Sequence, residues 1–251
     1  MKRVGFLGCG KIGLAILTHI MERGDIEITF IQDPFFKNNY QLQCPILSEP
    51  DIALLANTDL VIECATADIL KQNFRLILSH CDIMPFSVTA YADPEFEQAS
   101  NQLSGQYHHH IYIPHGAILG LDGIFDGRKC WTKVTVETTK SPQSLGREDQ
   151  QTTILYAGPT RGACKLFPRN VNVHAAVALS GLGFDHTFSK IIAKPGIDTN
   201  EHLITLEGDG VRFEIAVSSF AAGSITGAYT PHSACGSIDR VLCRRSGIVN
   251  V

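Results

Sequence analysis

The sequence predicts an α/β protein, with a Rossmann-type doubly wound parallel sheet followed by a second, smaller α+β domain. In the first part, short apolar strands alternate with segments of helical spacing, and a glycine-rich turn separates the first strand from the first helix. Beyond about residue 113, β-prone runs follow without regular helical alternation. We therefore predict a dinucleotide-binding domain at 1–113 and an α+β domain at 114–227, and expect the segment of about 228–251 to pack back on the first domain.

Hydrophobic periodicity places the elements of the first domain. Residues 26–31 alternate at period two, as in a strand, whereas residues 14–21 and 70–78 have helical spacing. Gly24 stands where the first helix should end. The remaining predicted strands are 4–7, 59–65 and 82–88. Alternation of this kind is typical of a parallel sheet with crossover helices.

The second domain reads as strands around one buried helix. Residues 130–139 form a long alternating β-prone run, and residues 171–182 have the apolar content and length of a buried helix. The strands predicted at 202–207 and 211–217 are separated by a Gly-Asp-Gly turn that suits a hairpin. The polar stretch 140–153 is predicted to be an exposed loop or linker.

Composition excludes several classes of protein. The 251 residues are 44% hydrophobic with a formal net charge of −4, which excludes intrinsic disorder and offers no electrostatic case for nucleic-acid binding. No run of 18 apolar residues exists, so we expect no membrane span. The eight cysteines include no C-x-x-C pair. The residues before the Gly-rich motif show no apolar signal region, so we expect no signal peptide. We expect a cytoplasmic protein with reduced thiols.

The strongest local signal is the run Gly8-Cys9-Gly10-Lys11-Ile12-Gly13, which follows a predicted strand and opens a predicted helix. In this fingerprint Gly8 allows the tight turn, Gly10 lets the backbone approach a pyrophosphate, and Gly13 lets the helix pack on the strand. Asp33 ends the second strand, where a carboxylate would accept hydrogen bonds from the adenosine ribose. Since that carboxylate repels a 2′-phosphate, we expect NAD to be preferred, with NADP as the second option.

Two groups of histidines invite a functional interpretation. His108, His109 and His110 are consecutive, so in an extended segment they point to alternating faces, and we predict a solvated loop and no metal site. His202 stands at the mouth of a predicted strand in the second domain. An imidazole there could exchange protons with an amine, imine or hydroxyl, although a lone histidine is more often structural.

Four blocks of sequence resemble the L-aspartate dehydrogenase family. They are residues 4–13, 114–122 (Pro-His-Gly-Ala-Ile-Leu-Gly-Leu-Asp), 163–173 (Ala-Cys-Lys-Leu-Phe-Pro-Arg-Asn-Val-Asn-Val) and Asn200-Glu201-His202. The resemblance implies NAD(P)-dependent interconversion of L-aspartate with iminosuccinate, or with oxaloacetate plus ammonia. It also implies a homodimer formed through the second domain, and a product that can feed the quinolinate route to NAD.

Carried over by motif, the resemblance makes His202 the active-site histidine and Ala117 and Asn172 cofactor contacts near the nicotinamide. A helix N-cap is the alternative role for Asn172. Lys11, Ile12 and Ala65 complete the predicted cofactor-binding set. A dicarboxylate substrate needs cationic partners, so we predict substrate contacts from four basic side chains: His115, Arg161, Lys165 and Arg169. For at least two of the three Arg and Lys residues, the alternative is a solvated surface charge.

The chain departs from the family pattern at three places. His115 stands where serine is usual, residues 89–93 replace a Gly-Ala-Leu-Ala-Asp type run, and residues 229–233 replace an Asn-Pro-Lys-Thr run. A related NAD-dependent oxidoreductase acting on another small amino acid, imine or keto acid is therefore the alternative function. A non-catalytic nucleotide-binding module is a further alternative, and it would have no use for His202.

Overall fold

A computed structural model describes residues 1–220 and 227–242. Residues 221–226 of the predicted second domain and residues 243–251 of the predicted C-terminal segment lie outside the described residues. The strands are β1 Lys2–Leu7, β2 Ile26–Gln32, β3 Ile46–Leu47, β4 Leu60–Glu63, β5 Asp82–Pro85, β6 Trp131–Lys140, β7 Thr153–Pro159, β8 Thr187–Ala193, β9 Thr199–Gly208 and β10 Val211–Phe220. The α-helices are α1 Lys11–Arg23, α2 Ile52–Ala56, α3 Ala67–Leu78, α4 Pro94–Tyr107, α5 Leu121–Asp126, α6 Thr160–Leu166, α7 Asn172–Ser180 and α8 Tyr229–Leu242. Short 3₁₀ helices occupy Val88–Ala92 and Gln143–Leu145.

The first sheet has the strand order β3-β2-β1-β4-β5, and every pair in it is parallel. Its central strands are buried on both faces, as their apolar runs indicate. The chain runs outward from β1 on one side and from β4 on the other, so the order reverses between these two strands. Their carboxyl ends therefore open the crevice in which such folds bind ligands. The predicted Rossmann-type sheet is confirmed.

Helix α1 shows how the sequence sets the element beside this crevice. It begins after Gly10 and ends at Gly24, which adopts the left-handed conformation and donates its backbone N–H to the Ile20 carbonyl. Ile16, Leu17 and Ile20 form the buried stripe against the sheet. The helix therefore presents its free N–H groups at the end of β1.

The second sheet has the order β10-β9-β6-β8-β7 and is mixed, because β6 and β8 are parallel while the other pairs are antiparallel. Strands β9 and β10 form the predicted hairpin, with Gly208 opposite Val211. Alternate residues of β6, from Val134 to Lys140, are buried on the face that α7 covers. The predicted second α+β unit is confirmed.

The two halves meet where the Val88–Ala92 helix packs on α7. Thr89 makes two of the bonds across this junction: its N–H donates to Asn172 Oδ1 at 3.1 Å, and its hydroxyl donates to the Pro168 carbonyl at 2.9 Å. Arg161 adds a third, from Nη1 to the Ala92 carbonyl at 2.5 Å. The junction thus orients the start of α7 against the end of the first sheet.

Helix α8 returns to the first half of the chain and lies against α1. Ala234 and Ile238 are fully buried in the same apolar cluster as Ile16. At the far end of α1, Asp239 accepts hydrogen bonds from Arg23 at 2.7 Å and bonds His19 Nε2 at 2.9 Å. This helix therefore completes the apolar core of the nucleotide-binding half.

Several boundaries differ from those the sequence predicted. The strand predicted at 82–88 ends at Pro85 and is followed by a 3₁₀ helix, and the helix predicted at 171–182 ends at Ser180. Helix α4 was not predicted, although Asp93 caps it and Pro94 opens it. Lys140, assigned to an exposed loop, is instead the last residue of β6 and is 3% exposed. Within the described ranges, no helix combines the length and apolar character needed to cross a membrane.

Candidate active site

The turn from Gly8 to Gly13 leaves space beside its backbone for a pyrophosphate. Gly8 has φ +80°, and a Cβ there would come within 2.7 Å of Ala65 Cβ, so only glycine fits. A Cβ on Gly10 would meet nothing within 4 Å, which leaves the backbone at the start of α1 open to a ligand. A Cβ on Gly13 would lie 3.1 Å from the Gly8 carbonyl oxygen, as expected for close helix–strand packing.

Asp33 follows β2 directly and holds its carboxylate beside this turn. Oδ2 accepts the Cys9 N–H at 2.8 Å, and Oδ1 accepts the Phe35 N–H at 2.9 Å. Each oxygen has a further lone pair for a ribose hydroxyl. The three glycines, the helix N-terminus and this carboxylate together fit a dinucleotide.

The other predicted cofactor residues surround the same crevice. Lys11 opens α1, and Ile12 follows it and lines the cavity described below. Ala65 lies just beyond β4 and donates its N–H to Glu63 Oε1 at 2.7 Å. Ala117 lines the cavity from the segment before α5.

Glu63, which sequence reasoning did not single out, organises the end of β4. Its side chain is fully buried and also accepts two hydrogen bonds from Ser87, from the hydroxyl at 2.8 Å and from the N–H at 3.0 Å. Burial raises the pKa of this carboxyl to about 7, against the lowering effect of these hydrogen bonds. By holding the Ala65 N–H, Glu63 fixes the backbone against which Gly8 packs. A carboxylate that ends a fully apolar strand was the available signal.

A cavity lies between the two halves, beside the crevice. Its walls come from the start of α1, the segment after β5, the junction before α5, the end of β6, the start of β9, the end of β10, the start of α7 and the start of α8. Four of its lining side chains carry basic groups: His115, Lys140, Arg169 and His202. None of the lining residues in the described part of the chain is Asp or Glu. The cavity is therefore suited to an anionic ligand.

His202 enters this cavity from β9, where it lies opposite Thr138 of β6. The side chain is 7% exposed, and Nδ1 lies 2.8 Å from Thr138 Oγ1. Burial, with a smaller contribution from the nearby Lys140 charge, lowers the pKa of His202 to about 3. The imidazole is therefore neutral near pH 7, and one of its ring nitrogens is unprotonated and can accept a hydrogen bond.

A second histidine, His174 of α7, lies behind His202 and is fully buried. Its Nε2 is 2.7 Å from the same Thr138 hydroxyl, and its Nδ1 is 2.8 Å from Ser189 Oγ. Burial lowers the pKa of His174 to about 3 as well. Sequence reasoning read this residue only as part of a buried helix, since no local pattern marks its polar partners.

Lys140 is the third functional candidate that the sequence did not reveal, after Glu63 and His174. It points to the same face of β6 as Thr138, two residues earlier, and lines the cavity. Its Nζ lies 3.5 Å from Asn170 Oδ1, and burial lowers the pKa of the ammonium to about 8. A buried ammonium of this kind favours an anionic ligand that would compensate its charge.

The structure divides the predicted substrate-binding residues. His115 and Arg169 line the cavity. Arg161 does not: it makes a bidentate ion pair with Asp185 at 2.7 Å and braces the junction between the halves. Lys165 lies at a separate surface depression beside α3. Arg161 and Lys165 are close to Asn172 in sequence, but helix α6 directs them away from the cavity.

Asn172 and His115 lie at the cavity with defined partners. Asn172 is the first residue of α7, whose N-cap is Val171, so the alternative role as a cap does not apply. Its Oδ1 accepts the Thr89 N–H, which leaves its NH₂ group as the donor for a ligand. His115 is half-buried, 3.4 Å from Arg240 Nη1, and burial lowers its pKa.

Two of the three consecutive histidines, His109 and His110, contact neighbouring groups of the first domain. His109 Nδ1 lies 2.7 Å from the Leu78 carbonyl oxygen, and the His110 ring stacks on Tyr112. In residues 1–220 and 227–242, no group of three or more His, Cys, Asp or Glu side chains is arranged to hold a metal ion.

Two family models match the chain. Residues 126–241 match the model described as aspartate dehydrogenase, C-terminal, and residues 8–114 match homoserine dehydrogenase, NAD binding domain. An L-aspartate dehydrogenase of Methanococcoides burtonii is 32% identical, over 89% of this chain and 90% of the relative. An L-aspartate dehydrogenase of Nitrosopumilus maritimus is 31% identical, over 83% of this chain and 84% of the relative.

Solved structures show the same relationship. The aspartate dehydrogenase of Thermotoga maritima superposes with a TM-score of 0.82 at 26% identity, over 100% of both chains. An amine dehydrogenase of Mycobacterium smegmatis has a TM-score of 0.56 at 12% identity, over 96% of this chain and 91% of that one, which shows a shared fold alone.

Proposed function

We propose that this chain, which belongs to the L-aspartate dehydrogenase family, interconverts L-aspartate and iminosuccinate with a nicotinamide cofactor. The observation that carries the proposal is the cavity beside the dinucleotide crevice, where Lys140 and Arg169 accompany a neutral His202 and no described lining residue is acidic. L-Aspartate has the matching chemistry, since it brings two carboxylates and one ammonium group.

In this proposal three of the four basic side chains, Lys140, Arg169 and His202, have separate tasks. Lys140 and Arg169 bind the two carboxylates, and arginine suits a carboxylate because its planar fork donates two parallel hydrogen bonds. The substrate carboxylates favour the protonated form of His202, against the burial and the Lys140 charge that lower its pKa in the free protein. His202 then accepts a proton from the α-ammonium group, which gives the nitrogen a lone pair for the C=N bond. A bound nicotinamide would supply the hydride acceptor for Cα. Water then converts the imine to oxaloacetate and ammonia.

We further propose that NAD is preferred over NADP. Asp33 supports this because its carboxylate, already held by the Cys9 and Phe35 N–H groups, would face a 2′-phosphate with like charge. Pro34, Phe35 and Phe36 follow it, so the next three positions supply no cation to compensate.

Oxidation of NADH in the presence of oxaloacetate and ammonium tests the reaction. We expect oxidation that depends on ammonium, and slower oxidation of NADPH in parallel. Oxidation without ammonium would indicate reduction of the keto acid instead. If NADH binds but no oxidation occurs, the assignment of L-aspartate is refuted, and His115 directs the search toward another small amino or keto acid.

A matched pair of variants tests the role of His202. His202→Asn should lower kcat by at least about 100-fold, the usual contribution of a general base, while NADH binding is retained. His186→Asn is the control, because it makes the same substitution at an exposed position outside the cavity. Equal turnover in the two variants would remove His202 from the mechanism.

We also propose a cytoplasmic homodimer whose product feeds the quinolinate route to NAD, as the resemblance implies. The outer face of the second sheet supports the dimer, since it exposes Ile154, Phe188 and Leu203. Leu203→Glu should shift the molecular mass measured by light scattering from a dimer to a monomer. Failure of the chain to restore growth of a quinolinate auxotroph would contradict the pathway.

A further inference from the structure

Behind His202, buried side chains form one continuous hydrogen-bonded row. Four distances join its five members in order: His202 Nδ1 to Thr138 Oγ1 (2.8 Å), Thr138 Oγ1 to His174 Nε2 (2.7 Å), His174 Nδ1 to Ser189 Oγ (2.8 Å) and Ser189 Oγ to Thr160 Oγ1 (2.7 Å). Each member is 7% exposed or less. Water therefore has little access to these side chains and does not compete for their hydrogen bonds.

The far end of the row has a fixed direction. Thr160 Oγ1 lies 3.0 Å from the Thr187 carbonyl oxygen, which only accepts hydrogen bonds. The single hydroxyl hydrogen of Thr160 is thus donated to that carbonyl, so Thr160 accepts the hydrogen of Ser189. Ser189 in turn has only a lone pair for His174, and His174 Nδ1 must be the protonated nitrogen.

The direction passes through His174 to the cavity. Because a neutral imidazole carries one N–H, His174 Nε2 is an acceptor and receives the Thr138 hydroxyl hydrogen. Thr138 then accepts from His202, whose hydrogen is on Nδ1. We infer that this row fixes His202 in the Nδ1–H tautomer, with the Nε2 lone pair directed to the cavity, and that Thr138, His174, Ser189 and Thr160 are positioning residues for the reaction.

The assignment deepens the proposed function and rests on it for its catalytic meaning. In the Nδ1–H tautomer, the proton leaves the α-ammonium group for His202 Nε2, and the N–H electron pair stays on the substrate nitrogen. The reversed row would place a hydrogen on Nε2, where the ring could donate to the substrate but could not accept its proton. The row therefore selects the base form of His202 before any ligand binds.

Nitrogen NMR of the ¹⁵N-histidine-labelled free protein tests the tautomer directly, because protonated and unprotonated ring nitrogens resonate far apart. We expect Nδ1 protonated and Nε2 unprotonated for both His202 and His174. Thr160→Val removes the anchoring hydroxyl, so Ser189 becomes free to donate to His174 and the row can reverse. We expect a protonated Nε2 population on His202 in that variant, while Thr160→Ser keeps the wild-type pattern.

Kinetics give the second readout. Thr160→Val should lower kcat for L-aspartate oxidation at least about tenfold with KM little changed, and Thr160→Ser should restore it. If Thr160→Val fails to fold, Ser189→Ala removes the acceptor of His174 Nδ1 and tests the same reversal. A protonated His202 Nε2 in the wild type, or an unchanged tautomer in every folded variant, overturns the inference. The proposed substrate fails separately, if the tautomers are as stated but L-aspartate is not oxidised.

Discussion

Replacing Lys140 by methionine should make the protein more stable and less active. Methionine has a similar length and apolar stem but no charge to bury. Burial lowers the pKa of Lys140 from 10.5 to about 8, which corresponds to about 3 kcal/mol of destabilisation at pH 7. On this basis Lys140→Met should raise the free energy of unfolding by about 3 kcal/mol and the melting temperature by about 6–12 °C.

The pH dependence of this gain has a defined sign. The native state binds the proton more weakly than the unfolded state, so the destabilisation is complete below pH 8 and disappears as the pH rises to 10.5. The stability of the wild type should therefore approach that of Lys140→Met across this window. Chemical denaturation at pH 7, 9 and 10.5 measures the difference.

Activity should change in the opposite direction. Loss of a buried charged partner of a substrate carboxylate corresponds to about 2 kcal/mol or more, so kcat/KM for L-aspartate should fall by about 30-fold or more. Lys133→Met is the matched control: Lys133 lies on the same strand, is exposed and pairs with Glu207, so both quantities should be nearly unchanged. A Lys140→Met protein that is less stable at pH 7, or fully active, would refute the assignment of a buried, ligand-seeking ammonium.

Three further substitutions address the rest of the site. Gly8→Ala puts a Cβ against the segment after β4, so the dissociation constant for NADH should rise more than about tenfold in fluorescence titration, with the circular dichroism of the fold retained; unchanged affinity would mean that the turn is not the phosphate site. Asp33→Ser removes the charge facing a 2′-phosphate, and the NADPH-to-NADH ratio of kcat/KM should rise about tenfold; an unchanged ratio would refute the role of that carboxylate. Arg169→Ala should raise KM for L-aspartate at least about tenfold, whereas its control Lys165→Ala, at a separate surface depression, should leave KM within about twofold; the reverse order would restore Lys165 as a substrate ligand.

The nucleotide-binding half was predictable because its signals are local. Each signal is carried by residues that are close together in the sequence. These signals are the apolar runs, the helical spacing before Gly24 and the run from Gly8 to Gly13. Asp33 was predictable for the same reason, since its place at the end of β2 follows from counting along the chain.

The substrate half depends on contacts that the sequence does not display. Thr138 and His202 meet only because β6 pairs with β9 across 64 positions of sequence. Lys140 begins a polar stretch, and its burial follows from the continuation of β6 by one residue beyond the alternating pattern. Arg161 was selected for its nearness to Asn172 in sequence, but its position at the start of α6 turns it toward Asp185. Proximity along the chain was a poor guide to proximity in space.

The position of helix α8 at the C-terminal side of the chain affects co-translational folding. The apolar side of α1 is covered by Ala234 and Ile238, and Asp239 lies 220 positions after its partner His19. At a synthesis rate of about 5–20 residues per second, helix α1 emerges from the ribosome roughly 10–45 s before the helix that packs on it. The half that is made first is therefore completed last, and until then the surface of α1 that contacts α8 is open to a nascent-chain chaperone.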